Sequence, residues 1–311
     1  MEMDDARLLV IGAGVNGSIC AAGLQNAGIN VTVLARGKRY EELCTEGIII
    51  EDPLKNTRTV TRVPVIDSLK PGDIYDYILV VVRKNQVPAL LPVLAKNKSP
   101  NVVFMINNPT GPDEFIRALG ASRVMLGFVF AGGKRDGDII RAIQLKKSQT
   151  PFGEVNGATT PRLERLVSIL QQAGFHAVIS DCIVDWLATH AALVAPIGNL
   201  VLQYNCDNYA LARSTADLNL VIDAMRETIA VLQANGRKIT PPSTKVYQYL
   251  PKFVLVMIFR KLLSSRLGEI GIAWHCSQAP DEIRQLSREL LELVEKSKLP
   301  SPAIRKIIQL V

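Results

Sequence analysis

Residues 8–17 read LLVIGAGVNG, an apolar run that leads directly into three glycines spaced as G-x-G-x-x-G. This spacing predicts a strand, a tight turn and a helix, with Gly12 in the turn, Gly14 open to a pyrophosphate and Gly17 at the helix–strand contact. The free N–H groups at the helix N-terminus favour an anion. We therefore predict a dinucleotide site formed by Gly12, Ala13, Gly14, Val15, Asn16 and Gly17. The alternative is a glycine-rich turn that binds nothing.

The second predicted strand and the residues that follow it, NVTVLARGKRY at 30–40, indicate which dinucleotide binds. An NAD site usually has Asp or Glu at the end of this strand, where the carboxylate accepts hydrogen bonds from the ribose. Here the strand ends in Ala35-Arg36, and Lys38 and Arg39 follow. Because a guanidinium can bind a 2′-phosphate through two hydrogen bonds, we predict NADP(H), bound by Arg36 and Lys38. The alternative is a solvated basic loop.

Short apolar strands alternate with helices over the first 180 residues. The pattern predicts strands at 8–11, 31–35, 77–82, 102–106, 124–129 and 176–179, and helices at 17–27, 39–45, 86–95, 113–119 and 161–173. Strands that are apolar along their whole length and separated by helices predict a parallel sheet covered on both faces. Two β-rich runs between residues 47 and 65 instead predict an inserted β-hairpin.

The remainder of the chain has a helical pattern. Helices are predicted at 185–211, 215–234, 244–267 and 280–296. The fold class is therefore α/β, with an N-terminal Rossmann-type parallel-sheet domain at 1–180 followed by an all-α domain at 181–311. The first domain is expected to bind NADP, and the second to contribute to substrate binding and to dimerisation. Long apolar helix faces such as 218–232 make a homodimer an open alternative to packing within the domain.

Composition restricts the class of protein. Hydrophobic residues make up 48% and charged residues 21%, as in folded soluble proteins, and the net charge of +7 suits an anionic ligand. The low aromatic content of 5%, without basic–aromatic clusters, argues against nucleic acid. Five widely spaced cysteines predict free thiols in a reducing compartment. We expect a cytoplasmic protein without signal peptide or membrane span, because residues 187–202 are apolar but interrupted by polar residues and proline.

Polar clusters follow two of the predicted strands. RKNQ at 83–86 ends one strand, and NNPTG at 107–111 ends another. Ligands of open parallel sheets bind beyond the carboxyl ends of the strands. We therefore predict that Arg83 and Lys84 hold a substrate carboxylate, and that an amide of the second cluster orients a hydroxyl group or the cofactor. The alternative is ordinary turn chemistry, since Asn-Pro and Thr-Gly-Pro sequences form turns.

These motifs together resemble the ketopantoate reductases (2-dehydropantoate 2-reductases). The resemblance rests on GAGVNGS, LARGKRYEELCTEGI, VVVRKNQV, INNPTG, the segment FGEVNGATTPRLERLVSILQQAGFHAVISDCIVDW and a late helix entered by PDEI. It implies a two-domain, NADPH-dependent enzyme that reduces a branched 2-keto acid in a cleft between the domains. It also implies that Asn108 contacts cofactor and substrate, that Glu282 binds substrate, and that Arg83 or Lys84 replaces the family's lysine, with Arg83 also near the cofactor.

The chain departs from this family on the first helix of the second domain. The resemblance places the family's catalytic lysine two residues after Trp186, at Ala188, and an asparagine four residues further on, at Ala192. The family's serine region before Glu282 is also missing, and IGIAWHCSQA stands there instead. Because alanine cannot donate a proton, another group must do so if this chain is a reductase.

Three groups are candidate proton donors: His190, His275 and Lys84. Histidine ordinarily titrates near working pH, as a general acid should. His190 lies one helical turn beyond Trp186, and His275 shares a face with Glu282 if a single helix spans both. The alternative for His190 is a hydrogen-bonded core residue, and His176 is predicted to be structural. No HxxxH or HExxH spacing is present, so no metal is expected.

The predicted function is NADPH-dependent reduction of a small 2-keto acid. Two alternatives stay open. The missing lysine favours an NADP(H)-binding sensor or scaffold that turns nothing over. An opine-type dehydrogenase, which has a similar two-domain plan, is the other alternative.

Overall fold

The computed structural model describes residues 5–144 and 148–310. The chain divides into two compact units. The first comprises Met1–Ile106 and Pro112–Ile183, and the second comprises Asn107–Gly111 and Val184–Val311. The division therefore falls just after Ile183, and a five-residue loop from the N-terminal half is grouped with the C-terminal unit.

The first unit contains the parallel sheet that the sequence predicted. Its described strands are β1 (Arg7–Ile11), β2 (Asn30–Leu34), β3 (Ile48–Asp52), β4 (Thr57–Thr61), β5 (Val65–Ile66), β6 (Tyr77–Val80), β7 (Val102–Phe104), β8 (Val124–Gly127), β9 (Ala131–Asp136), β10 (Ile139–Gln144), β11 (Thr150–Glu154) and β12 (Ala177–Ile179). Eight of them form one sheet in the order β12-β11-β8-β7-β6-β1-β2-β5. Every neighbouring pair is parallel except β8 and β11. The α/β fold class is confirmed.

Five helices accompany these strands in the first unit. They are α1 (Val15–Asn26), α2 (Lys38–Thr45), α3 (Val87–Lys96), α4 (Asp113–Leu119) and α5 (Pro161–Gln172). Strand β1 buries Leu8 and Val10 in the same core to which α1 contributes Ile19 and Leu24. Strands β6, β7 and β8 are buried at every position. Complete burial explains why their sequences are apolar without alternation.

A second, four-stranded sheet has the order β4-β3-β10-β9. Strands β3 and β4 form the predicted hairpin. Strands β9 and β10 form a hairpin that the sequence analysis did not identify, joined by Gly137 and Asp138. Two-residue Gly-Asp loops of this kind favour tight hairpin turns. Strand β3 pairs in parallel with β10, so the two hairpins form one sheet.

The regular secondary structure described in the second unit consists of helices. Its helices are α6 (Ile183–Gln203), α7 (Asn208–Arg213), α8 (Thr215–Ala234), α9 (Val246–Tyr249), α10 (Lys252–Leu263), α11 (Arg266–Gly268), α12 (Trp274–Gln278), α13 (Pro280–Ser297) and α14 (Pro302–Ile308). A π-helical turn over Glu269–Ala273 joins α11 to α12. The predicted all-α character of the C-terminal part is confirmed.

Two of the long predicted helices are interrupted. The helix predicted at 185–211 is divided into α6 and α7, because Asn205 and Cys206 have φ values of 50° and 64° and cannot continue a right-handed helix. The helix predicted at 244–267 is broken at Pro251, which lacks an N–H group and forces Leu250 into an extended conformation. Helix α8 coincides with its prediction.

Helix α6 is the only helix in the described ranges that is long and apolar enough to cross a membrane, on length and composition alone. Within its most apolar window, 67% of the residues are buried inside the structure. Burial of that extent is typical of the core helix of a soluble protein. The apolar character of α6 is therefore accounted for by packing.

Candidate active site

The glycine loop joins β1 to α1. At Gly12, which has φ +108°, a Cβ atom would overlap the carbonyl oxygen of Val81, and at Gly17 it would overlap the carbonyl oxygen of Gly12. At Gly14, by contrast, a Cβ atom would meet nothing within 4 Å. No side chain caps the N-terminus of α1. The loop therefore packs tightly at its two ends and leaves open space at its middle glycine, which fits a bound pyrophosphate.

Arg39 is a buried support of this loop. Its side chain is 7% exposed. Its Nε donates a hydrogen bond to the carbonyl of Ala13 (3.2 Å), and its Nη2 donates to Oγ of Ser18 (3.3 Å). Its Nη1 donates to Glu42 (3.1 Å) and to the carbonyl of Asp138 (3.0 Å). Burial lowers the pKa of the guanidinium, and the hydrogen bond to Glu42 opposes that shift. Of the three cations after β2, Arg39 is thus committed to holding the loop.

Arg36 and Lys38 are the other two cations after β2, and both are exposed. The side chain of Lys38 is 81% exposed, and its Nζ lies 3.8 Å from Oε1 of Glu42. An exposed pair of this kind is weak, so it leaves Lys38 available for another anion. The two residues predicted to bind a 2′-phosphate are therefore accessible.

Arg83 and Lys84 follow β6, the strand that pairs in parallel with β1. The carboxyl ends of adjacent parallel strands meet at one edge of the sheet. The two cations and the glycine loop are therefore at the same edge. Lys84 is buried, with 4% of its surface exposed, and the backbone N–H of Arg83 donates to Oε1 of Gln86 (3.3 Å).

The loop over residues 107–111 uses Asn108 to hold its own backbone. Asn108 is fully buried. Its Nδ2 donates to the carbonyl of Gly111 (2.9 Å), and its Oδ1 accepts from the N–H of Gly111 (3.2 Å). The residue that the family resemblance assigns to cofactor and substrate thus closes a turn within the helical unit.

Glu282 lies between a histidine and an asparagine of the helical unit. Its Oε1 accepts a hydrogen bond from Nδ2 of Asn107 (3.3 Å), and its Oε2 lies 3.8 Å from Nε2 of His275. The Glu282 side chain is 6% exposed, whereas His275 is 39% exposed. The sequence analysis predicted His275 and Glu282 together but missed Asn107. We refer to Asn107, His275 and Glu282 as the acid cluster.

No single helix spans His275 and Glu282, so the condition under which they would share a helix face is not met. His275 lies on α12 and Glu282 on α13, and Ala279 between them leaves the helical conformation, with φ −135° and ψ 46°. The chain therefore changes direction between the two residues. Their proximity comes from this break and not from helical periodicity.

His190 lies on α6, where its ring stacks on Trp186, with centroids 5.2 Å apart and planes 10° from parallel. Burial and the neighbouring charge of His275 lower the pKa of His190 to about 4. A histidine with such a pKa is neutral near pH 7, so it is a poor proton donor. His176 is exposed next to β12. The described residues contain no group of three or more side chains suited to a metal ion.

The lowered pKa of His190 predicts a loss of stability in acid. The unfolded chain takes up this proton near pH 6.5, whereas the folded chain does so only near pH 4. The stabilisation is therefore complete above pH 6.5 and is lost as the pH falls towards 4, by up to about 3 kcal/mol. His190→Phe keeps a ring against Trp186 and removes the titration. Urea unfolding at pH 7 and pH 4.5 should show a smaller acid loss in this variant; equal losses would contradict the prediction.

Ala188 and Ala192, which stand where the family has catalytic polar residues, belong to the core of the helical unit. They are 1% and 2% exposed and pack in one apolar cluster with Leu200 and Ile283. Both alanines therefore contribute to packing.

A second buried carboxylate, Glu289, lies seven residues after Glu282 on α13 and is 5% exposed. It accepts hydrogen bonds from Nε2 of Gln285 (2.9 Å) and from Oγ1 of Thr110 (3.5 Å). Thus α13 holds the loop over residues 107–111 through Glu282 at one end and Glu289 at the other. The seven-residue spacing, which repeats one helix face, is the sequence signal for this pair, and the sequence analysis did not use it.

Comparison with protein-family models matches residues 8–157 to the family described as "Ketopantoate reductase PanE/ApbA". A curated 2-dehydropantoate 2-reductase of Archaeoglobus fulgidus is 29% identical over 171 residues, which are 55% of each chain. The aligned region thus spans about half the length of that relative. A curated 2-dehydropantoate 2-reductase of Pyrococcus horikoshii is 22% identical over 239 residues, which are 75% of each chain.

Solved structures share the fold over almost the whole chain. The 2-dehydropantoate 2-reductase of Geobacter metallireducens matches with a TM-score of 0.79 and 19% identity, covering 98% of both chains. A D-mandelate dehydrogenase solved with NADH and anilino(oxo)acetate matches with a TM-score of 0.77 and 14% identity, covering 97% of this chain and 96% of that one. These likenesses establish the fold of the two units.

Proposed function

The chain is similar to the ketopantoate reductases, whose family model matches residues 8–157, and from this premise we propose that it reduces a 2-keto acid with NADPH. The similarity supports an oxidoreductase that acts on CH–OH groups or the corresponding carbonyls. The observation that carries the proposal is the glycine loop, which is tight at Gly12 and Gly17 and open at Gly14. The identity of the cofactor, NADPH, and the identity of the substrate, a 2-keto acid, are both part of the proposal.

Bound NADPH would supply the hydride, and residues of the chain must supply the proton and bind the substrate. We assign the proton to His275, because its side chain is partly exposed and has the Glu282 carboxylate beside it. A carboxylate at that distance orients the imidazole ring. Since Nε2 faces Glu282, the proton on Nδ1 is the one available for transfer. Lys84 is the alternative donor, and neutral His190 is the weaker one.

The substrate carboxylate is assigned to Arg83. It lies at the carboxyl edge of the parallel sheet, just after the strand that pairs with β1. A guanidinium binds a carboxylate through two parallel hydrogen bonds, and this pairing fixes orientation as well as charge. Lys84 is less suited to this role because it is buried.

The direct test of the function is a panel of 2-keto acids assayed with NADPH and NADH in parallel. Steady oxidation of NADPH by one member of the panel, with slower oxidation of NADH, is the expected result. NADPH binding without turnover of any member would favour the sensor or scaffold alternative. Turnover only when an amino acid is added would favour the opine-type alternative.

Arg36→Asp should reverse the choice of cofactor. The change removes a guanidinium that binds a 2′-phosphate and puts a carboxylate at the position that accepts from the ribose in NAD sites. We expect the ratio of kcat/KM for NADPH over NADH to fall about 100-fold, because a charge-assisted bidentate contact is worth about 2–3 kcal/mol. Lys98→Asp, the same charge change at an exposed lysine after α3, is the control. An unchanged ratio in Arg36→Asp would remove the assignment of NADP.

A further inference from the structure

Helix α10 has two apolar faces, and the structure buries only one of them. The inner face lies in the core of the helical unit and consists of Leu255, Val256, Phe259 and Leu263. On the other side, Phe253, Met257 and Ile258 are 66%, 55% and 50% exposed. Because residues four apart are neighbours on a helix, Phe253, Met257 and Lys261 form one row. We call Phe253, Met257, Ile258 and Lys261 the outer face of α10.

Exposed apolar side chains are concentrated in this part of the chain. Of the twelve large hydrophobic side chains that are exposed in the described residues, six lie within residues 246–267. They are Val246, Tyr249, Phe253, Met257, Ile258 and Leu267. Proteins rarely leave a contiguous apolar patch in water unless it binds another protein or a membrane. The outer face of α10 is therefore a candidate contact surface.

The charged side chains of the same segment are all basic. Residues 235–268 contain seven Lys and Arg residues and neither Asp nor Glu. Three of these cations pair with acidic residues from outside the segment: Arg237 with Asp185, Lys252 with Asp223 and Arg266 with Glu269. Lys245 and Lys261 are exposed, and neither has an ion-pair partner among residues 5–144 and 148–310. The segment therefore combines exposed apolar side chains with positive charge that no carboxylate neutralises.

This combination fits an anionic bilayer better than a second copy of the chain. In a two-fold dimer the same patch of both subunits meets, so basic side chains would face basic side chains, and like charges oppose association. A bilayer with negative headgroups offers an apolar interior to Phe253 and Met257 and negative charge to Lys245 and Lys261. The exposed ring of Tyr249, just before α10, suits the headgroup level, where tyrosine is enriched.

We propose that the outer face of α10, together with Tyr249, docks the protein on a lipid bilayer that carries negatively charged headgroups. The contact is peripheral, with α10 in the plane of the interface, and it needs no membrane-spanning segment. Lys261 stands in the same row as Phe253 and Met257, and its long stem lets the ammonium group reach the headgroups while the two apolar side chains enter the bilayer. This inference is independent of the proposed reductase function.

The test measures binding of the full chain to vesicles by flotation. One set of vesicles is phosphatidylcholine alone, and the other contains about one-third phosphatidylglycerol. We expect binding to the anionic vesicles to be about 10-fold or more tighter at about 0.1 M salt, and to be lost at about 1 M salt, where charges are screened within about 3 Å. Binding to neither set would mean that a protein covers this face, and equal binding to both would mean that charge has no part. Either result would overturn the proposal.

Two substitutions on the outer face of α10 locate the contact. Met257→Asp should abolish flotation, because it places a charge among the side chains that enter the bilayer. Leu54→Asp is the matched control, since Leu54 is 53% exposed in the turn between β3 and β4. Lys261→Glu should weaken binding about 25-fold, because a basic residue near the surface contributes about 5-fold and the reversed charge repels by a similar factor. Lys98→Glu is its control.

Two further measurements on the same samples exclude other causes. The melting temperatures of Met257→Asp and Lys261→Glu should match that of the wild type, because both side chains are exposed. Sedimentation equilibrium should give the same mass for the wild type and Met257→Asp. A wild-type dimer that Met257→Asp dissociates would assign this face to a second copy and overturn the proposal. Flotation of Met257→Asp at the wild-type level would overturn it as well.

Discussion

Glu282→Gln is expected to lower kcat/KM at least 100-fold while the melting temperature stays the same or rises. The carboxylate lies 3.8 Å from Nε2 of His275, where it positions the imidazole ring. Glutamine keeps the volume and loses the negative charge that faces the ring. A positioned acid contributes about 10²–10⁴-fold to rate, so loss of the orientation of His275 should cost a large part of that factor. Steady-state kinetics and thermal unfolding of the same samples test both halves of the prediction.

The expected stability follows from the burial of Glu282. A carboxylate that is nearly inaccessible loses hydration on folding, and Asn107 and His275 offset that loss only in part. A neutral amide loses less. Residues that a fold keeps for activity commonly reduce its stability, and Glu282 should belong to this class.

His275→Gln and the double variant complete the comparison. If Glu282 acts through His275, the double variant should be about as slow as either single variant, because residues that work as a unit are not additive. Full activity in Glu282→Gln, or additive losses in the double variant, would contradict the assignment of the acid cluster to proton transfer.

Gly14→Ala is expected to weaken NADPH binding about 100-fold without changing the melting temperature. In the structure a Cβ atom at this position would meet nothing within 4 Å, and Gly14 does not have a positive φ. The methyl group therefore fits the free protein. It would occupy the space that a pyrophosphate needs to reach the loop backbone, and a loss of about 2–3 kcal/mol corresponds to that factor. Fluorescence titration with NADPH and a thermal melt measure the two quantities.

Gly17→Ala, three residues away, should instead destabilise the free protein. Its Cβ atom would overlap the carbonyl oxygen of Gly12, which is backbone and cannot move aside without opening the loop. We expect a large fall in melting temperature or insoluble protein. If Gly14→Ala instead bound NADPH as tightly as the wild type, the open space at Gly14 would have no part in dinucleotide binding.

Local signals predicted the parallel sheet and the glycine loop well, because both depend on neighbouring residues. The apolar run of β1, the glycine spacing and the helix after it all lie within residues 7–26. The four-stranded sheet was missed because β3 pairs with β10, about ninety residues further along the chain, and no local pattern encodes that pairing. The Gly-Asp turn between β9 and β10 was the available signal for its second hairpin.

The sequence identified several residues of the site, but it did not predict how they are arranged. Residue type and spacing singled out His275 and Glu282, although the break at Ala279 and not a shared helix brings them together. The choice between Asn107 and Asn108 could not be made from sequence, since it depends on which side chain closes the turn at Gly111. The buried role of Arg39 was hidden for the same reason. A basic residue after β2 looks the same in sequence whether it meets a phosphate or the carbonyl of Ala13.

Because it includes the loop over residues 107–111, the helical unit is encoded by two separate segments of the sequence. This unit takes five residues from about one-third of the way along the chain and the rest from the segment after residue 183. A crossover after residue 183 between two diverged relatives would separate Glu282 from Asn107, and Glu289 from Thr110. The resulting chimaera would bury two carboxylates against a foreign loop. Recombination can therefore exchange the helical unit cleanly only when both segments come from the same parent, so the loop and α13 should evolve together.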